Sequence, residues 1–546
     1  MNPVPGLLDV QRLFGEPMEW PMHRIRGGSP DTAGSDQHSY TDPATGTRVV
    51  WAGRLGVPGG TTSENVGAYL LGMYERYGSS FAGHIEGDFA VAVCNPRERT
   101  TVLARDPAGT VPLYYAHAPD GRLLFGTHIM DIVPELGRRE LDPAALLDYL
   151  TFLWSLDEKT FFRGVRLVPP GAVYASGTIE RYFTFEHVAS EQQSTDEWCA
   201  VILATLEEAV RKTIQPHMGC HVSGGVDSSA IAVLASRMAR NPIRGFVGSF
   251  PDYPDYDEAP YAQIVADQVG VELVRVSVRP EDFADMLADV LLAAEEPKGH
   301  PPVLPRYLLE SAAATSGCRV TLSGRGADEL FTGYDWHRQA ALPGHLARRT
   351  VFDPAGRARL LRPEFLSAAD YDPEQAYERV LAACPGHSLL ERLMALDFYT
   401  LMANWLVLDY KLSTRFGIQP AAPFLDRSVM ELALRIPAEL KRRDDQPKIL
   451  LKEAVASLLP QEIINRKKVG FRTPMGEMLR AGLEGFVREA LHKDASLFWD
   501  IFDPQGVQDM LEEHFRGTRN LGWQVWALMC VREWFRLFIE GEAWRR

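Results

Sequence analysis

The stretch from Met218 to Met238 constrains the fold and chemistry of this chain more than any other. Met218-Gly219-Cys220-His221-Val222 reads as a short buried strand, and Ala230 to Met238 carries apolar residues at helical spacing. Between them lies Ser223-Gly224-Gly225-Val226-Asp227-Ser228-Ser229. A strand feeding a Gly/Ser turn that opens a helix leaves unpaired backbone N–H groups aimed at one point. The positive end of the helix dipole adds to them, so the segment predicts a phosphate site. Gly224 and Gly225 let the backbone approach the anion, and the hydroxyls of Ser223, Ser228 and Ser229 are further donors. Asp227 would repel a phosphate unless a cation bridged the two, which points to Mg²⁺. The pattern is not the GxxxxGK[ST] loop. The plainer alternative is an ordinary strand–turn–helix connection built of small residues.

The rest of the chain organises in two parts around this turn. At 546 residues it calls for two or three domains, and 46% hydrophobic with 24% charged residues suits large cores. Before residue 190, short strand-like runs are broken by Gly, Pro and Asp: Arg48–Trp51, Phe89–Val93, Thr101–Ala104 and Leu123–Gly126. That punctuation predicts stacked antiparallel sheets. The polar stretch Ala189 to Asp196 reads as a linker. From Trp198 onward helix-like segments alternate with short apolar strands, as a parallel sheet requires, and the part beyond about Gln339 reads as mostly helical. The expected domains are 1–190 and 191–546, and the fold class is α/β with an α+β first domain.

The Ser223–Ser229 turn resembles the pyrophosphate loop of enzymes that release PPi from ATP and leave AMP on their substrate. Further segments, in order, are similar to motifs of the asparagine synthetase family. Leu322–Tyr334 resembles its SGxGxDELFxGY segment and Pro423–Arg427 its PFLDR. Lys448–Ala454 resembles the lysine-bearing helix start ahead of an LP turn (Leu459-Pro460), and Arg466–Phe471 the RxKxG element. Glu86–Ala90, Leu103–Asp106 and Pro112–Tyr115, closed by Leu167–Gly171, are similar to the glutaminase-type domain of that family. The resemblance implies a glutaminase-like antiparallel β-sandwich followed by a parallel-sheet synthetase domain with a helical end.

It also implies roles. Ser223, Gly224, Gly225, Ser228 and Ser229 would hold the pyrophosphate end of ATP, with Gly324 of the second motif a further ATP-binding candidate, while Asp227 and Asp328 would bind Mg²⁺. The strand Arg244–Phe250 would pass the adenine through Val247 and Ser249. Lys448 would neutralise the leaving PPi, although a surface helix lysine is the alternative, and Lys468 would steady charge on the reacting centre. Asp257-Glu258 and Glu295-Glu296 match acidic positions of the family, with Glu296 among the catalytic candidates. Read from the residues alone, each pair is equally consistent with solvated surface charge.

One departure shapes the expected reaction. An N-terminal-nucleophile glutaminase needs a thiol whose own α-amine is the base. The sequence starts Met1-Asn2-Pro3-Val4, the stretch His23–Gly28 is a degraded form of the family pattern, and no cysteine occurs before Cys94. Glutamine hydrolysis is therefore not expected. Family members of this kind include β-lactam synthetases and lasso-peptide cyclases, which close an amine of their own substrate onto an adenylated carboxylate. The segment from Asp409 to Arg435 and Lys468–Pro474 look most like lasso-peptide cyclases, whereas Trp405–Lys411 shows no counterpart to the β-lactam synthetases' glutamate. The expectation is macrolactam or isopeptide closure of a peptide. A leader peptidase or precursor-peptide-binding protein would be the partner, with a β-lactam synthetase-like or asparagine synthetase-like ligase of a small substrate as alternative.

Composition narrows the other classes. A net charge of −15 opposes a phosphate backbone, which argues against nucleic acid and against a tRNA-modifying pyrophosphate-loop enzyme. No apolar run of about twenty residues suggests a membrane span. The six cysteines are scattered, as expected of reduced, mostly buried thiols in a cytoplasmic protein, and no His/Cys spacing suggests zinc.

Overall fold

A computed structural model describes residues 8–9, 38–57, 63–188, 193–338, 349–443, 446–466 and 472–541. These fall into two compact units. The first draws on Met1–Ala145, Ser155–Phe185 and Phe398–Tyr410, the second on Leu146–Trp154, Glu186–Asp397 and Lys411–Arg546.

Among the described residues, the first unit holds two antiparallel sheets. Its strands are β1 (Leu8–Asp9), β2 (Ser39–Thr41), β3 (Arg48–Leu55), β4 (Gly87–Asn95), β5 (Thr100–Arg105), β6 (Tyr114–His117), β7 (Leu123–Gly126), β8 (Arg166–Leu167), β9 (Ala172–Ala175) and β10 (Thr178–Arg181). One sheet runs β10-β9-β5-β4-β3-β2 and the other β1-β7-β6-β8. Strand β4 explains the layering. Its residues alternate faces with period two, and both faces are apolar. Ala90, Ala92 and Cys94 pack with Leu113, Tyr115 and Phe125 near the second sheet. Phe89, Val91 and Val93 pack with Leu70 and Leu71 of helix α1 (Ser63–Tyr77) and with Phe81. A strand buried on both sides needs a near-continuous apolar run, and Phe89–Cys94 supplies it.

The segment Phe398–Tyr410 completes this core from far along the chain. The Phe398 ring lies 4.4 Å from that of Phe185, Tyr399 Oη accepts from the Phe185 N–H at 2.7 Å, and Tyr410 joins the Ala90–Cys94 cluster.

Among the described residues, the second unit is built on a five-stranded sheet in the order β13-β12-β11-β14-β15. The strands are β11 (Met218–His221), β12 (Arg244–Ser249), β13 (Glu272–Ser277), β14 (Val320–Leu322) and β15 (Gln419–Ala421), all parallel. Sequence order runs outward from β11 on one side and resumes with β14 on the other. The crevice beyond the carboxyl ends of β11 and β14 is therefore where a ligand site belongs in an open parallel sheet. Strand β15 interrupts the largely helical last part, where no expectation placed a strand. Its three residues include Pro420, which an edge position tolerates.

The linker expected over residues 189–196 is shorter than it reads. Ser194 caps the helix Thr195–Thr213 and exchanges bonds with Glu197, so its polar end is a capping box. Among the described residues no helix is long and apolar enough to cross a membrane. The six cysteines are free thiols, all buried except the half-buried Cys199.

Candidate active site

The loop after β11 forms as its composition demands. Gly224 has φ +68, and a Cβ there would lie 2.4 Å from Cβ of Tyr261, so neither the backbone conformation nor the space admits a side chain. Helix Val226–Met238 follows with Gly225 as N-cap, and no side chain caps its first turn. Its leading N–H groups are left for another acceptor. The serines are partly committed within the loop: Ser223 N–H donates to Ser228 Oγ (3.1 Å), and the two hydroxyl oxygens are 3.0 Å apart. Ser229 differs from the expectation of a facing donor. It is fully buried, since its position one turn into the helix points its side chain into the protein.

The loop after β14 lies directly against the first. A Cβ on Gly324 would fall 2.6 Å from the Ser228 amide nitrogen, so only glycine lets the two backbones touch. Asp328 sits in the short helix Ala327–Leu330. A Cβ on Gly333 would lie 1.8 Å from Asp328 Oδ1 and 2.2 Å from Lys448 Cε. The chain thus makes room for a carboxylate and a lysine stem at one point.

Lys448 occupies that room. It is 4% exposed, which removes the surface-lysine alternative. Its backbone is left-handed, φ 56, at the N-cap of helix Ile449–Ala454. A lysine there is strained, as residues at functional sites often are. Its Nζ lies 2.5 Å from Asp227 Oδ2 and 2.5 Å from Asp328 Oδ1. One ammonium therefore faces two carboxylates, and the second oxygen of Asp227, Oδ1, is buried without a hydrogen-bond partner. The open oxygen beside two carboxylates fits a divalent cation held by Asp227 and Asp328, with the Lys452 ammonium also within electrostatic reach of Asp227. Among the described residues no group of three or more His, Cys, Asp or Glu could hold a metal unaided. Two carboxylates completed by phosphate oxygens is the arrangement Mg²⁺ commonly takes.

The remaining expected residues are placed as follows. Val247 and Ser249 lie buried in β12, the neighbour of β11. Glu295 and Glu296 are buried at 2% and 8% exposure, not solvated. Glu295 pairs with the buried Lys411 at 2.5 Å and Glu296 with Lys298 at 3.4 Å. Glu258 is likewise buried, paired with Arg466. Lys468 lies outside the described residues. Sequence reasoning passed over Lys298, Arg325 and Lys411. Burial first, then the charges of Lys298 and Arg325, hold His300 down at about 3 and so neutral. Arg325 alone lies in a recognised motif, and no local pattern marks the neighbourhood as a whole, because its members come from separate segments, Lys411 from the helix Ala403–Arg415.

The asparagine synthase family model matches residues 202–536, and a glutamine amidotransferase domain model matches residues 62–184. The glutamine-hydrolysing asparagine synthetase 1 of Bacillus subtilis is 24% identical over 86% of this chain and 80% of its own. A putative glutamine-hydrolysing asparagine synthetase of Mycobacterium bovis is 28% identical over 87% of this chain and 80% of its own. The amidase chry2 of Gibberella zeae is 23% identical over 83% of this chain and 79% of its own.

Proposed function

Because the chain belongs to the asparagine synthase family, and is thereby an ATP-dependent amide-forming ligase, we propose that it adenylates a substrate carboxylate, releases PPi, and closes the acyl group with an amine of the same substrate. The observation that carries this reading is the Asp227–Lys448–Asp328 cluster beside the uncapped helix start. The carboxylate attacks the α-phosphorus of ATP, and the bond to PPi breaks. The loop amides and Lys448 take up the charge on PPi, and AMP leaves when the amine attacks. Mg²⁺ on Asp227 and Asp328 would add neutralising charge at the same place. Lys448 would then turn from its two carboxylates to the phosphates, which balances charge at the site.

The proposed amine source is intramolecular. Cys94 is buried in β4, and burial pushes its thiol up to about 12. It is no nucleophile. A peptide substrate closed as in lasso-peptide cyclases is the form that the Asp409–Arg435 resemblance supports, with a leader peptidase or precursor-binding protein as partner. The test is ATP–PPi exchange with candidate precursor peptides. The expected product is AMP, PPi and a peptide lighter by one water that lacks a free N-terminal amine. ADP as the sole nucleotide product would defeat the reading.

A second reading has its own support: the amidotransferase domain at 62–184 and the relatives named as glutamine-hydrolysing. Under it, glutamine would supply the nitrogen for a small substrate. Glutamate release above a no-enzyme control selects this reading over the first.

A further inference from the structure

Arg466 meets three groups of the second unit at once. Its Nη1 donates to the Ser223 carbonyl oxygen at 3.2 Å, its Nη2 donates to Glu258 Oε1 at 3.2 Å, and its Cζ lies 3.9 Å from the centre of the Tyr261 ring. The arrangement is enclosed, with the Arg466 and Glu258 side chains 11% and 7% exposed. Tyr261 is also the residue against which Gly224 presses. Glu258 and Tyr261 stand at the start of the helix Ala259–Val269, so one guanidinium ties that helix start to the first residue of the phosphate-binding loop.

The bond to Ser223 has a directional consequence. The Ser223 carbonyl and the Gly224 N–H belong to one planar trans peptide and point in opposite directions. Pinning the carbonyl on Arg466 therefore orients the Gly224 N–H, one of the amides available to an anion. A guanidinium suits this task because its planar fork reaches two acceptors while its face stacks on an aromatic ring. A lysine ammonium offers neither the fork nor the face. Glu258 holds the fork in place through a charge-assisted bond. Burial raises its carboxyl to about 7, Arg466 opposes that rise, and the neighbouring Asp257 adds to it.

We propose that Arg466, braced by Glu258 and Tyr261, is a positioning residue that sets the Ser223–Gly224 peptide plane and thereby the loop's affinity for pyrophosphate. The inference rests on Ser223–Ser229 being a pyrophosphate loop, as argued above. The experiment is calorimetric titration of the full chain with magnesium pyrophosphate, alongside thermal unfolding. Arg466→Ala should weaken binding about tenfold or more, the equivalent of one charge-assisted bond. Added guanidinium ion should recover much of the loss, and Arg466→Lys should not. Glu258→Gln should weaken binding in the same direction, and the double variant should be no worse than Arg466→Ala, since the two act as one unit. Wild-type affinity in either single variant would overturn the proposal. So would a loss in Arg466→Ala that guanidinium does not repair and that accompanies a collapsed unfolding midpoint. Failure of the wild type itself to bind magnesium pyrophosphate would instead remove the loop reading on which the inference stands.

Discussion

Each unit of this protein encloses a charged cluster, fully buried in the first and partly exposed in the second, and the two clusters are finished in different ways. In the first unit Arg105 and Asp106 are 0% and 1% exposed. Arg105 donates to the carbonyls of Val111 (2.9 Å), Val168 (2.7 Å) and Gly109. Asp106 accepts from the amides of Ala108, Thr110 and Val111 at 3.0–3.1 Å. Both oxygens and both ends of the guanidinium are used. In the second unit Asp227, Asp328 and Lys448 share one contact point and leave Asp227 Oδ1 unpartnered. A buried charge with every partner supplied holds a turn in shape. One left short of partners keeps a place for a ligand, at a cost in stability.

The largest consequence concerns activity. Asp227→Asn and Asp328→Asn should each reduce PPi release to the level of the no-enzyme control, because a carboxylate is lost without change of volume. Folding stability should stay within about 1 kcal/mol of wild type, since the change relieves an under-partnered charge. Turnover surviving in Asp227→Asn would mean that its open oxygen has no ligand to hold.

Next come the lysines. Lys448→Ala should lower kcat by roughly 10²–10³-fold, as for loss of one donor to developing charge. Lys448→Arg should recover little, because Gly333 leaves no room beside the lysine stem. Lys468→Ala is expected to fall in the same range, with substrate binding changed far less than turnover. Single-turnover kinetics separates the two quantities.

The opposite pattern is expected at the first cluster. Arg105→Met should cost about 3–5 kcal/mol of stability, because Asp106 is left as a buried charge without its cation. The midpoint of chemical denaturation measures this. A loss below about 1 kcal/mol would show that the satisfied cluster does not hold its turn and would erase the contrast between the units.

The smallest effect is on pH dependence. Burial raises Glu258 from 4.5 to about 7 in the folded protein. A raised carboxyl contributes stability that is fully present below the unfolded value of 4.5 and lost as pH rises through about 7. Glu258→Gln should remove a stability difference of about 3 kcal/mol between pH 4.5 and 7. An unchanged slope in that variant would assign the titration elsewhere.

Much of this is legible in the sequence. Strands β3, β4, β5, β7 and β11 follow from short apolar runs set between turn residues, and the helix after the loop from helical spacing over Ala230–Met238, because those patterns report what a local element must bury. The Gly/Ser turn at 223–229 was equally legible, since a strand–glycine–helix junction needs those residues wherever it occurs. Ser194 misled as a linker residue because the same small polar side chains serve caps and loops alike. Strand β15 was missed because a three-residue edge strand containing Pro420 carries no pattern of its own.

What local pattern could not supply was meeting across distance. Lys448 reaches Asp227 over a separation of 221 residues, and Arg466 reaches Ser223 over 243. The burial of Glu258, Glu295 and Glu296, and the packing of Phe398–Tyr410 into the first unit, are of the same kind. A carboxylate reads identically in sequence whether water or a lysine faces it. Residue type and spacing therefore fixed which chemistry was on offer and where each loop would turn. Which charges share one point, and which oxygen is left open there, follows from strand order in the parallel sheet, which brings the ends of β11 and β14 together.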